Sequence, residues 1–178
     1  MLDPAQYSAV ETLRDGRSVE IRSYRPADGS DLEAFAGRIG PLSMYRRFFT
    51  LKQSFSEREK AFFLNVDFDK HIALVAVTDE GGRYAIIGGG RYVAVKPAVS
   101  EIAFVVLDQY QGQGLGAALL RHLITIARET GLDTLVAEVL RENAPMLKVF
   151  GRSGLPMTTE AESDVVHVTL QLRPLANC

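Results

Sequence analysis

Apolar and polar positions give the first half of the chain a broken texture. Val19-Glu20-Ile21-Arg22 alternates like a short strand and stops at Arg25-Pro26. Ser30-Asp31-Leu32-Glu33 has the form of a capping box and predicts a helix to about Ile39. A second helical stretch is predicted over Ser43–Phe49, and a third from Ser56-Glu57-Arg58-Glu59 to near Asn65. Then the pattern turns to strand. His71–Thr78 is a β-branched apolar run, and Asp79-Glu80-Gly81-Gly82 turns the chain. Tyr84–Val95 predicts a second strand, with Gly88, Gly89 and Gly90 inside it as a bulge or a close approach. Ser100–Leu107 predicts a third. The connections are too short for parallel crossovers, so these three form an antiparallel meander.

Helical spacing returns at Leu115, Ala118, Leu119, His122, Leu123, Ile126 and Ala127, with Gly131 as the stop. Thr134–Leu140 is the next strand. Asn143 caps a further helix with Pro145 in its first turn, and Gly154 ends it. Val165–Leu172 alternates as a last strand, and Glu160, Glu162 and Asp164 fall in a hairpin before it. The order predicts a mixed α/β domain of the α+β class with a mostly antiparallel sheet. No repeat or linker divides it. The domain is placed at residues 18–173, behind an N-terminal extension of residues 1–17.

Composition narrows the partners. The chain has 178 residues, 47% hydrophobic and 24% charged, with a formal net charge of −2. That suits one globular domain and lacks the basic stripe of a nucleic-acid binder. Met1–Ser18 has no basic stretch followed by an apolar run, so it predicts no signal peptide. No apolar run approaches the roughly 18 residues that cross a bilayer, and the expected setting is cytoplasmic. The single cysteine, Cys178, is the last residue and reads as a frayed terminal thiol. His71, His122 and His167 lack metal-ligand spacing, so no metal site is expected.

Candidate chemistry centres on Asp108-Gln109-Tyr110-Gln111-Gly112-Gln113-Gly114-Leu115-Gly116, between a strand and a helix. Glycines there leave the first helical N–H groups uncovered, where unpaired donors and the helix dipole favour an anion such as a pyrophosphate. Gly112-x-Gly114-x-x-Ala117 also fits a dinucleotide-binding consensus, but four residues separate it from the strand, and the strands before it are hairpins. A P-loop fails for want of Gly-Lys-Ser/Thr. A plain tight turn is the remaining reading.

Gln111-x-x-Gly114-x-Gly116 resembles the cofactor motif of the GNAT superfamily of N-acetyltransferases, and Asn143-Ala144-Pro145-Met146 resembles that family's second motif. The likeness runs from about Val19 to Leu172. It implies the GNAT fold, with about six to seven strands and about four helices, and acetyl-CoA as cosubstrate. It implies cofactor contacts at Val105, Val106, Leu107, Gln111, Gly112, Gln113, Gly114, Leu115, Gly116, Ala117, Asn143, Met146 and Phe150. Leu42–Phe49 and Val66–Val75 look like the bacterial protein lysine acetyltransferases of the Pat type. That finer resemblance implies a protein lysine as acceptor, with an acyl-CoA synthetase among the candidate partners. The synthetase-like or cyclic-nucleotide-binding domain often fused to such proteins is not found in these residues.

Transfer to an amine needs a base, since a free lysine amine has a pKa of about 10.4. Glu101 interrupts the apolar run Ser100–Leu107, where apolar neighbours are expected to raise its pKa, and Glu101-Ile102-Ala103-Phe104 resembles the Glu-x-x-Phe of lysine-acetylating relatives. The bland alternative is a strand-start glutamate facing solvent. By the same resemblance the backbone of Val105 stabilises the thioester oxygen. Many small-molecule relatives carry a tyrosine seven residues after the motif asparagine; here Phe150 stands there, so the thiolate leaves unaided or with help from elsewhere. The rival readings are a small-amine acetyltransferase and a non-catalytic CoA-binding module.

Overall fold

The computed structural model describes residues 1–50 and 54–174; Cys178 lies outside them. Eight strands form one sheet: β1 (Ser8–Thr12), β2 (Ser18–Ser23), β3 (His71–Asp79), β4 (Tyr84–Lys96), β5 (Val99–Val106), β6 (Thr134–Leu140), β7 (Met157–Glu162) and β8 (Val165–Gln171). Their spatial order is β1-β2-β3-β4-β5-β6-β8-β7. Five helices accompany them: α1 (Gly29–Arg38), α2 (Pro41–Phe48), α3 (Glu57–Leu64), α4 (Leu115–Glu129) and α5 (Ala144–Gly151). None is long and apolar enough to cross a membrane. The helices number five where the resemblance implies about four, and two strands go beyond those read from the pattern, both for physical reasons. β1 is a half-exposed edge strand of the segment expected to precede the domain, and β7 is exposed throughout, so neither carries a strong apolar pattern.

β3 is buried from His71 to Thr78, as a central strand covered on both faces must be. β5 and β6 make the one parallel pair, joined by α4, while the other neighbours run antiparallel. α4 buries Leu115, Ala118, Leu119, Leu123, Ile126 and Ala127, which is the stripe its spacing predicts. His122 on that stripe is a polar tie: its Nδ1 meets the Tyr7 hydroxyl, and its Nε2 lies 2.6 Å from Glu11 Oε1. The capping box expected at Ser30 is not used, because α1 starts at Gly29, behind Asp28. Asp28 instead takes two hydrogen bonds of 2.8 Å from Arg22 and one from the Arg25 N–H. At Ser56 the box does form, with Glu59.

At the glycine run of β4 the structure has the irregularity of a bulge, and the close approach is made by a helix rather than by a substrate or cofactor. A register shift lies opposite it, between Ala76 and Val77. Gly88 and Gly90 also let α4 pack tightly on the sheet: a Cβ on Gly90 would lie 2.8 Å from Leu123 Cδ1 and 3.1 Å from Phe104 Cβ. Gly90→Ala is therefore expected to cost about 1–3 kcal/mol through overpacking. A thermal melt checks this, since about 2–4 °C is lost per kcal/mol in a chain of this size; an unchanged melting point would refute the close-packing account.

Candidate active site

The parallel β5–β6 pairing covers only Val99–Glu101 against Thr134–Val136. β5 runs on to Val106 and β6 to Leu140, so the sheet opens between them. A cavity of about 590 Å³ fills that opening. Backbone groups along the gap must find other partners. Leu107 donates its N–H to the Ile87 carbonyl of β4. Alternate residues share a direction along a strand, so Val105 and Ala103 also turn their backbone groups to β4, while Phe104 and Val106 turn theirs into the gap. The Val106 carbonyl there accepts a 3.0 Å bond from Gln111 Nε2. By this parity the Val105 N–H, expected to face the thioester, is directed to β4, and Val105, Phe104 and Val106 all line the cavity.

At the end of β5, Asp108–Tyr110 make a tight 3-10 turn, and the glycine loop leads into α4. Gly112 and Gly114 have φ of 75° and 90°, the left-handed region open to glycine. Gly114 is the N-cap of α4 and supplies no side chain, so the first-turn N–H groups stay available. Gly112, Gly114, Leu115, Gly116 and Ala117 all line the cavity. Gln113 and Leu107 do not. Gln113 turns outward to the β1–β2 turn, accepting from the Arg14 N–H through its carbonyl and from the Asp15 N–H through its side chain. Leu107 is buried under the strand.

Gln111 works as a strut. Its Nε2 also donates to Ser43 Oγ at 3.0 Å, and Ser43 donates to Asp108 Oδ1 at 2.6 Å. Asp108 sits so close to Gly40 that a Cβ there would lie 2.1 Å from Oδ2. Gly40 is the N-cap of α2 and has no capping side chain, so Asp108 supplies the negative charge that this helix start favours. The α2 stretch is thereby fastened to the loop.

Opposite the loop, Asn143 accepts from the Met146 N–H and caps α5, as its sequence predicts. Asn143, Met146 and Phe150 line the cavity, with Phe150 fully buried and tilted against Phe104 at 5.6 Å. Arg14, Arg46, Lys148 and Arg152 also reach the cavity. Their basic rim suits a ligand with several phosphates. Lys148 and Arg152, four apart on and just past α5, were open to a sequence reading. Arg14 was not, because only the β1–β2 hairpin brings it to the loop, where it donates to the Gly112 carbonyl at 3.2 Å.

Glu101 lines the cavity where the gap begins, as the last residue of β5 still paired to β6. Its side chain is exposed, so the apolar enclosure expected around it is not there. Solvent-facing and cavity-lining readings both hold for this residue. Arg47 of α2 faces the same cavity, and burial pushes its guanidinium down to about 10, partly offset by the Glu101 charge.

Known proteins match this arrangement. The Acetyltransferase (GNAT) family matches residues 42–155. An acetyltransferase of Pseudomonas aeruginosa is 36% identical over 123 residues, covering 68% of this chain and 66% of that protein. Acetyltransferase Pat of Mycolicibacterium smegmatis is 32% identical over 144 residues, covering 80% of this chain and 42% of its own length. The chain thus spans less than two thirds of either relative. The GNAT domain of S. lividans PAT superposes with a TM-score of 0.82 at 33% identity, covering 92% of this chain and 96% of that domain. With the open β5–β6 pair and the glycine-capped α4 at the matched positions, the chain belongs to the GNAT family of acetyltransferases.

Proposed function

We propose that the chain transfers an acetyl group from acetyl-CoA to the ε-amine of a lysine in another protein. One observation carries this reading: Glu101 lines the cavity yet is exposed to solvent where the β5–β6 pairing stops, so an amine borne on a large partner can reach it. The cofactor's pyrophosphate rests on the N–H groups of Gly114–Ala117, and its pantetheine arm lies in the gap beside Phe104 and Val106. The acceptor amine gives up its proton to Glu101, directly or through water, and its nitrogen attacks the thioester carbon. A C–N bond forms and the C–S bond breaks. The carbonyl oxygen gathers negative charge in between, and the amides of Phe104 and Val106 point into the gap to meet it.

No tyrosine stands at position 150, so the thiolate leaves without a proton from that site; a thiol with a pKa of about 8.5 is acidic enough to do so. Phe150 in that position favours the lysine-acetylating branch of the family over its small-amine branch. An acyl-CoA synthetase is the first partner to try. The test is incubation of the full chain with labelled acetyl-CoA and a soluble proteome, followed by mapping of modified lysines. Defined lysines, absent with a Glu101→Gln chain, are expected. An empty lysine map beside thiol release with a small amine would sink the protein-substrate reading.

A further inference from the structure

A second cavity of about 150 Å³ lies behind β5, between α1–α3 and the face of β3–β5. It shares Arg47, Phe48, Ala103, Phe104 and Val105 with the cofactor cleft, so the two spaces adjoin along β5 beside the position proposed for the thioester. Its walls are mostly carbon, from residues such as Leu32, Phe35, Ile39 and Phe63. Two guanidiniums interrupt them, Arg47 from α2 and Arg91 from β4.

Neither is paired with a carboxylate among the described residues. Arg22, also largely shielded, makes a bidentate pair with Asp28, which is the ordinary way to hold such a charge. Glu33 at the rim is within 3.4 Å of Lys60. Glu101 lies beyond ion-pair reach of Arg47 and acts on it only through its field. Arg91 donates one N–H arm to the Phe63 carbonyl at 3.2 Å and to His71 Nε2 at 2.8 Å. Arginine has no acceptor, so His71 takes this bond on a lone pair, as the neutral ring. Burial and the Arg91 charge both push the His71 pKa down, which keeps it neutral. Burial first, and then repulsion from Arg47, bring Arg91 down to about 10, so both arginines stay charged at neutral pH. Each guanidinium lies over an aromatic ring, Arg47 over Phe48 at 4.7 Å and Arg91 over Phe63 at 4.8 Å. Two like charges that repel each other within one apolar chamber, each over an aromatic face, call for a shared anion.

We propose that this chamber is the acyl-end pocket, and that Arg47 and Arg91 receive the terminal carboxylate of a short dicarboxylic acyl group carried on CoA. The inference rests on the acyl-CoA reading and extends it from acetyl to malonyl- or succinyl-type donors. The chamber adjoins the cleft along Ala103–Val105, beside the position proposed for the thioester, whereas the acceptor enters at exposed Glu101. That places the carboxylate on the donor. Methylenes of the acyl chain lie against Ala103 and Val105. Transfer is unchanged in its balance: the C–N bond forms as C–S breaks, the amine proton goes to Glu101, CoA leaves as thiolate, and the distal carboxylate takes no part.

Calorimetric titration of the full chain with acetyl-, butyryl- and succinyl-CoA tests this without any acceptor. Butyryl and succinyl chains have the same length and differ in the end group. Succinyl-CoA is expected to bind at least about tenfold more tightly than butyryl-CoA, as a charge-assisted pair implies. Arg91→Gln should bring that ratio near one, and Arg91→Lys, which keeps the charge without the fork, should restore part of it. Equal affinities in the unaltered chain, which needs no variant to fold, would overturn the inference while leaving the donor reading intact. So would a preference that survives in a folded Arg91→Gln chain. No binding of any thioester would overturn both. Thiol release from acetyl-CoA with small carboxylated amines such as glutamate, dependent on Arg91 and without acyl preference, would move the carboxylate to the acceptor and overturn the assignment to the acyl chain.

Discussion

Glu101→Gln is expected to lower kcat/KM by about 10²–10⁴-fold, the usual contribution of a positioned general base. In activation free energy that is about 3–5 kcal/mol. The substitution keeps the side chain's shape and removes its ability to take a proton. Because Glu101 is exposed and sits at the end of the β5–β6 pairing, the fold should be unaffected, within about 0.5 kcal/mol as for other surface changes. The pH profile separates a base from a mere surface acid. The acid-side fall of kcat/KM, which reports the base of the free enzyme, should disappear in the variant along with the rate. Thiol release over a range of pH, beside a thermal melt, measures both. Full turnover with the profile unchanged would show that the nearby carboxylate has no part in proton removal, and a lone loss of melting temperature would mark it as structural.

The motifs legible in the sequence were those built from consecutive residues. The meander His71–Val106, the α4 stripe and the Asn143 cap needed only local periodicity and capping chemistry, and each lies within a residue or two of its expected place. Gln111–Gly116 could be read as an anion loop because glycine spacing and helix entry are local facts. Its supports could not be read. Ser43 meets Gln111 and Asp108 across more than sixty residues of chain, and Arg14 reaches the loop only through the β1–β2 hairpin, whose outer strand is half-exposed. The same limit explains Val105. A resemblance can name a residue, but which backbone amides face the gap follows from the ladder parity with β4, and that is a long-range property. Arg91 was hidden in a different way: within the run from Tyr84 to Val95 it passes for one polar residue of an alternating strand, and only the fold sets it beside Arg47.

The second large effect is expected at Gly114. Its φ of 90° is a conformation that a β-branched residue avoids, and the left-handed region costs an ordinary side chain about 1–2 kcal/mol. Space is not the obstacle, because a Cβ there would find only Arg14 Nε, at 4.0 Å. Gly114→Val therefore acts through the backbone. The N-cap rotates towards allowed φ, and the N–H groups that follow it at the start of α4 turn away from their common focus. Losing one or two charge-assisted bonds to a pyrophosphate, each worth about 1.5–3 kcal/mol, should raise KM for acetyl-CoA by about 10²-fold. At saturating cofactor kcat should fall much less, since Glu101 and the β5–β6 gap are untouched. Gly154 provides the control. It has φ of 79°, open space around it and no place in the cleft lining, so Gly154→Val carries the same backbone strain without the ligand. Both variants should lose melting temperature, and only Gly114→Val should lose cofactor affinity. A KM for acetyl-CoA within twofold of the unaltered chain would mean that the pyrophosphate is held by the basic rim of Arg14, Arg46, Lys148 and Arg152 rather than by the helix start.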